Sequence, residues 1–345
     1  MIDYIIVGFG LAGMAFAEQL RKNNKSFVVI SDNSQHSSRV AGGLYNPVIL
    51  KRFTMAWDAP KQLKKAMDFY EEVEAYLGAS FKTPLAVLRR FNSIEEQNLW
   101  MQAIDKPGLA HFLSDSFVKN KNDGIDVPYQ MGLVKHTGRV DIKALLACYV
   151  DSLEKQEKLL RASFIHDDLE VEDDFVKYNA IQAKNIVFCE GYGMLSNPYF
   201  NTLPLVGNKG EYLIIEAPEL KLNEAVKSAI FILPLGDSLY KVGATYNNQD
   251  LTSDTTEAAR DQIVRKLNQI IKVAYKIVGQ EAGVRPTVKD RKPLIGTHSK
   301  HKNIHLLNGF GSRGILIGPS VSEQLYNHIE NKTPLDRQTD LQRFI

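Results

Sequence analysis

The chain has 345 residues, enough for two domains and too many for one ordinary core. Hydrophobic content of 44%, charged content of 24% and a formal net charge of +2 are ordinary for a soluble globular protein and do not suggest a general polyanion binder. Cys148 and Cys189 form no C-x-x-C, which argues against a redox dithiol and a cysteine-built zinc site, so no metal is expected.

Ile5-Ile6-Val7 is a β-branched run of the kind found in a strand buried on both faces. Gly8, Gly10 and Gly13 follow at G-x-G-x-x-G spacing. Met14 to Lys22 then reads as a helix and Phe27 to Ile30 as a second buried strand. In this strand–turn–helix context the glycines predict a dinucleotide site. Gly8 permits the tight turn, Gly10 lets the backbone approach a pyrophosphate, and Gly13 lets helix and strand pack. The helix N-terminus offers free N–H groups and a positive dipole end to the phosphates. The second strand ends Ile30-Ser31-Asp32, so Ser31 or Asp32 is expected at the adenosine ribose. No Arg stands beside them for a 2′-phosphate, which argues against NADP. A core strand beginning almost at residue 1 leaves no room for a signal peptide. No apolar run of transmembrane length exists, so the expectation is a cytosolic protein with no membrane partner.

Ala41-Gly42-Gly43-Leu44-Tyr45-Asn46-Pro47 packs small residues where backbone must approach a large flat ligand. Asp58 to Leu77 reads as an amphipathic helix that Asp58 caps, with Pro60 in its first turn. Pro84 to Phe91 reads as a strand. Ser93-Ile94-Glu95-Glu96 is a capping box for a helix to about Ile104. Asn122-Asp123-Gly124 predicts a hairpin turn, and Asp141 caps a helix over Ile142–Lys155. Residues 161–189 read as short strands ending in the buried Ile186 to Cys189. Tyr212 to Ile215, Ile230 to Leu233 and Leu239 to Val242 lack intervening helices and therefore predict antiparallel sheet. A helix is expected over Thr255 to Ile271. The tail returns to the opening style, with a strand at Ile304 to Leu307 and a helix from Ile315 to about Glu330.

Glycine-rich segments recur at 41–44, 191–193 and 309–314, which favours a long flavin over NAD. The chain also has no Tyr-x-x-x-Lys. At this point it resembles the D-amino-acid oxidase/glycine oxidase (DAO) family of FAD-dependent oxidoreductases. The resemblance rests on VGFGLAG, AGGLYNP, GRVD, VFCEGYG, KGEYL, VGATY, GVRPTVKDRKPLIG and GFGSRGILIGP, in that order along almost the whole chain. AGGLYNP, GATY and GSRG look most like the FAD-dependent half of the bifunctional enzymes that finish 5-methylaminomethyl groups on the wobble uridine of tRNA. Their methyltransferase half has no counterpart here.

The resemblance implies an α/β fold. A Rossmann-like FAD-binding domain of the glutathione-reductase-type ββα variant would comprise residues 1–85, 136–203 and 286–345. A second, antiparallel-sheet substrate domain would comprise 86–135 and 204–285. Gly8, Gly10, Leu11, Ala12, Gly13, Ser31 and Asp32 would hold the ADP part of FAD. His36 and Ser37 would lie near the pyrophosphate, and Ala41, Gly42, Gly43 and Leu44 along the flavin. Phe164 or Ile165 would meet the adenine, and Gly191 would approach the cofactor. Phe310, Gly311, Ser312, Arg313, Gly314, Ile315 and Leu316 would place N–H groups and a helix N-terminus at the flavin pyrimidine edge. Arg285 matches the arginine that grips a substrate carboxylate, the group a guanidinium fork suits. Arg285 and Arg313 are the candidate catalytic residues. Tyr45, Phe231, Tyr246 and Tyr212 are pocket candidates, although a core role is the commoner one for an aromatic.

Two departures matter. Glycine oxidases carry a carboxylate-binding tyrosine where this chain has Phe231. Arg313 sits one position from the glycine-oxidase pattern but matches the tRNA-modifying one, and it either contacts substrate or pairs with a nearby carboxylate. The implied activity is hydride transfer from the C–N bond of a carboxylate-bearing amine to flavin, which needs no strong base once the substrate is oriented. The substrate is a small amine or amino acid, or a carboxymethylamino group on tRNA. The tRNA version predicts a basic rim, for which Lys61, Lys64, Lys65, Arg89 and Arg90 are candidates. A flavoprotein without amine oxidation and an NAD-dependent dehydrogenase are the competing readings. Arg285 in its GVRP context speaks against the first.

Overall fold

The computed structural model describes residues 1–345. The apolar opening run becomes the strand Ile2–Val7, central to an eight-stranded sheet. It lies parallel to Phe27–Ile30 on one side and Ile181–Phe188 on the other. Leu159–Leu160 extends one edge in parallel, and Ile304–Asn308 pairs parallel with Ile181–Phe188. One face of this sheet is covered by the helices Leu11–Lys22, Ala59–Leu77, Ile142–Lys155 and Gly314–Asn331, whose apolar sides share one core. The other face buries Ile5, Val7, Phe188, Phe200 and Leu306. This is the α/β, Rossmann-like layer predicted from the glycines.

The second eight-stranded sheet has a different texture. Its order is Lys276–Val288, Leu205–Glu216, Leu239–Gly243, Phe231–Gly236, Ala225–Lys227, Val87–Arg90, Met131–Val134 and Leu113–Val118. All pairs are antiparallel except Ala225–Lys227 with Val87–Arg90. Side chains alternate across it. Leu213, Ile232 and Val242 face the helix Glu257–Leu267. Leu233, Val87 and Val134 face the opposite way, toward Trp100 and the Val48–Ile49 and Thr54–Met55 hairpin.

Several local expectations change. The first helix starts at Leu11, three residues early, because Gly13 already belongs to its first turn. Asp58 has a left-handed backbone (φ 46°) and its side chain caps nothing; Pro60 alone serves the helix start. Ser93 does accept from the Glu96 N–H, but Glu96 reaches back to the Asn92 N–H rather than that of Ser93. The segment expected as one strand before Phe91 splits, since Lys82–Pro84 pairs with Gly138–Val140 and Val87–Arg90 joins the large sheet. Asn122 Oδ1 accepts from Gly124 N–H in a local turn, inside a long connection rather than a tight hairpin. The 255–271 helix is shorter, Glu257–Leu267, with Thr256 as its cap. No helix is long and apolar enough to cross a membrane.

Trp100 is fully buried, packs edge-on against Phe53 and Phe91 at 5.5 Å, and donates its indole N–H to the Ser114 carbonyl. Trp100→Ala is expected to lower stability by about 3–5 kcal/mol. Urea denaturation followed by circular dichroism measures this. A midpoint equal to wild type would mean that the cluster does not support the sheet.

Candidate functional site

A cavity of about 1440 Å³ runs between the two sheets. It exceeds the roughly 300–1,000 Å³ common for one small ligand, leaving room for a dinucleotide and a substrate. Its walls bring together Gly8, Gly10, Leu11, Ala12, Ser31, Asp32, Ser37, Ala41, Gly42, Gly43, Leu44 and Tyr45 from the first half of the chain. They also include Phe164, Gly191, Phe231, Tyr246, Arg285 and every residue from Phe310 to Leu316. Three predicted residues lie elsewhere. Gly13 is packed behind the turn, beneath the Gly8 carbonyl. His36 precedes the short helix Ser37–Val40 and does not line the cavity. Ile165 lines a separate, smaller hollow, and its N–H is donated to the Tyr178 hydroxyl.

Two helix N-termini open into this cavity. No hydrogen bond within the chain uses the N–H group of Ala12 at one, or those of Gly314 and Ile315 at the other. Such free N–H groups, at the positive ends of two helix dipoles, suit anionic or polar ligand atoms. Leu11 N–H is taken by Ser38 Oγ at 3.2 Å. At the far strand end, Asp32 accepts from Ser34 N–H and Ser163 Oγ, both at 2.8 Å. Burial works to raise its pKa, but these hydrogen bonds prevail and hold the carboxyl below its ordinary value. The Ser31 hydroxyl makes no bond within the chain, so both ribose candidates face the cavity.

The sheet wall carries the cations. Arg285 lies over Gly210, where a side chain would occupy the guanidinium's place. Nη1 donates to Asn208 Oδ1 at 3.0 Å, Nη2 is 3.5 Å from the Tyr212 hydroxyl, and the guanidinium is 5.0 Å from the Tyr246 ring. Arg285 has no carboxylate partner. Tyr246 is 72% exposed and so stands at the mouth, whereas Tyr45 is buried in the core with its hydroxyl against Gly138. Arg313 occupies the N-cap position of the final helix without a side-chain capping bond, and it also lacks a carboxylate within 4.0 Å. Burial and the neighbouring Arg291 lower its pKa. The ion-pair alternative for Arg313 is therefore not met.

Sequence reasoning missed Lys241, which lines the cavity but is tied to the Val40 carbonyl and to Glu281 Oε2, at 2.7 and 2.5 Å. It also missed Gln62, which is 2% exposed, faces the cavity and has no side-chain partner in the chain. Only its place in the fold marks it. The expected basic rim is reduced. Arg89 donates to Glu96 and to the Ser228 carbonyl, Arg90 to Asp126, and both are buried. Lys65 is paired with Glu323.

The family model for FAD dependent oxidoreductases (DAO) matches residues 3–327. Over 357 aligned residues the chain is 23% identical to glycine oxidase of Bacillus subtilis (strain 168), covering 96% of this chain and 93% of that protein. It is 25% identical over 183 residues to the tRNA 5-methylaminomethyl-2-thiouridine biosynthesis bifunctional protein of Azoarcus sp. (strain BH72). That match covers 46% of this chain and 28% of the relative. The crystal structure of glycine oxidase from Geobacillus kaustophilus has the same fold, with a TM-score of 0.80 at 16% identity over 100% and 99% of the two chains.

The cavity fits an FAD. Gly191 (φ 58°) and Gly311 (φ 56°) have no neighbour nearer than 4.0 Å where a side chain would point, so their open sides face cavity space. Gln62 and the free helix N–H groups are the polar partners that such a ligand requires. A Cβ on Gly10 would lie 3.0 Å from Ser38 Oγ, which already accepts the Leu11 N–H. Gly10→Val should therefore reduce FAD occupancy by at least about tenfold while leaving the fold intact. The ratio of flavin to protein absorbance checks it, and a variant that purifies fully yellow would refute the assignment.

Proposed function

The chain belongs to the FAD-dependent oxidoreductase family and is an FAD-dependent amine oxidoreductase; from that premise we propose that its substrate is a small amine bearing a carboxylate, oxidised at the C–N bond. The observation that carries this is the Arg285 guanidinium. It is aimed along the cavity wall, steadied by Asn208, and without an acidic partner. A planar fork of this kind is matched by a carboxylate, and a partly buried unpaired cation favours an incoming anion.

In this proposal residues 1–85, 136–203 and 286–345 carry the cofactor, and 86–135 and 204–285 carry the substrate wall. Leu11, Ala12 and Ser37 lie along the diphosphate, Ser31 or Asp32 at the ribose, and Phe164 at the adenine. Ala41 to Leu44 and Phe310 to Leu316 border the flavin. FAD when bound supplies the hydride acceptor. The protein's own part is positional. Arg285 fixes the carboxylate, so the C–H next to nitrogen is presented in one orientation. Tyr212 adds a hydroxyl beside it, and Arg313 supplies a second positive group. Lys241, held by Glu281 and the Val40 carbonyl, is not available as a free base. The amine must arrive neutral. The loss of Arg89 and Arg90 from the rim favours a small molecule over tRNA.

Anaerobic bleaching of the flavin band tests the proposal, with glycine, sarcosine, D-amino acids and tRNA bearing carboxymethylaminomethyl-uridine as reductants. Bleaching by the small amines is expected, and bleaching by the tRNA alone would overturn the small-molecule proposal. Arg285→Ala should keep FAD but lower kcat/KM by tenfold or more, in line with the ~1.5–3 kcal/mol of a charged hydrogen bond. Unchanged steady-state kinetics would remove Arg285 from the substrate site.

A further inference from the structure

Lys227 has no place in the machinery described above, yet it lines the same cavity. It ends the strand Ala225–Lys227. The register of the sheet sets one cross-strand row on the cavity face: Glu281, Tyr212, Gly243, Phe231, Lys227 and Arg89. Neighbouring strands are about 4.8 Å apart. Tyr212 carries the hydroxyl beside Arg285, and Lys227 stands three strands away. Its Nζ leans back over the Phe231 ring, 4.5 Å from the centroid. The Arg285 and Lys227 charges thus stand on one sheet wall, with the strands that carry Tyr212, Gly243 and Phe231 between them.

Three features set Lys227 apart from a structural lysine. Its ammonium group makes no hydrogen bond and no ion pair within the chain. Its cationic neighbour in the row, Arg89, is already neutralised by Glu96. Burial, with Arg89 and then Lys266 nearby, lowers its pKa to about 8. The charge is therefore held against its surroundings, with only an aromatic face for support. An anion in the cavity would relieve that.

We propose that Lys227 is a second anion subsite, taking an acidic group at the far end of the substrate while Arg285 holds the carboxylate next to the amine. The inference rests on the Arg285 assignment. The preferred substrate is then an extended amino acid or N-substituted glycine with a distal carboxylate or phosphate, long enough to span the strands between the two charges, rather than glycine itself. A flexible ammonium accepts either anion, so the distal group is defined by charge and reach.

The test is a binding measurement on the holoenzyme. Unreactive straight-chain dicarboxylates of increasing length, the monocarboxylates of equal length and the ω-phosphonocarboxylates are titrated while the flavin band is followed. At one chain length the dicarboxylate is expected to bind about tenfold tighter than its monocarboxylate. Lys227→Met should abolish that gain and change monocarboxylate binding less than about twofold. Lys227→Gln serves the same purpose should the Met variant fail to fold. A larger gain with the phosphonates would identify a phosphate as the distal group. The subsite is overturned by the absence of any dianion advantage in the wild type, or by an advantage that survives in the variants. Arg285→Ala is the control. Monocarboxylate binding that it leaves unchanged would instead overturn the carboxylate grip on which the subsite depends.

Discussion

The structure depends on two helix N-termini meeting at one place. The helix Leu11–Lys22 and the helix Gly314–Asn331 begin side by side, so close that a Cβ on Gly314 would lie 2.9 Å from Leu11 Cδ1. Each leaves at least one backbone N–H group without a partner, and each brings a positive dipole end. Bringing two such ends together is unfavourable by itself. It becomes favourable when negative charge lies between or beside them, as a bound dinucleotide could supply. The same approach explains why the two ends of the chain belong to one layer. Tyr4 and Lys25 from the start both bond to Glu330 near the end.

The second sheet answers a different need, to supply side chains at fixed spacing. A sheet does this through register, because residues opposite one another share a face. Glycines are part of that design. Gly210 leaves the space in which Arg285 lies, and Gly243 interrupts the row between Tyr212 and Phe231. Lys241, in the same sheet, is ion-paired, while Arg285 and Lys227 are not. The wall therefore presents two uncompensated positive charges to the cavity, although the whole chain carries only a small net charge.

What the sequence made legible follows the same division. The turn glycines, the 41–44 segment and the 310–316 loop could be read because backbone approach demands particular residues at particular spacings. All but Gly13 of these line the cavity. Arg285 stands out in the sequence because its neighbours carry a family pattern, and it too lines the cavity. Lys227 and Gln62 could not, because nothing local distinguishes them from solvated helix or strand residues; only the fold puts them against the cavity. Arg89 and Arg90 were misread as rim because their partners Glu96 and Asp126 are set by the folding of a loop and a neighbouring helix. Asp58 failed as a cap because its backbone turns left-handed, which its side chain does not signal.

Phe231 brings these threads together. In sequence it stands for a missing hydroxyl, and hence for a weakened hold on a carboxylate. In the sheet the place beside Arg285 is filled by the Tyr212 hydroxyl, one strand beyond Gly243, so a hydroxyl stands next to the guanidinium without a tyrosine at 231. The ring instead offers its face to the Lys227 ammonium. A phenol face would serve the cation too, but its hydroxyl would project a polar group into the space between the two charges. With phenylalanine that stretch of wall is apolar, bounded by a guanidinium at one side and an ammonium at the other. An extended chain with anionic ends is complementary to such a surface, whereas a substrate the size of glycine would leave most of it uncovered.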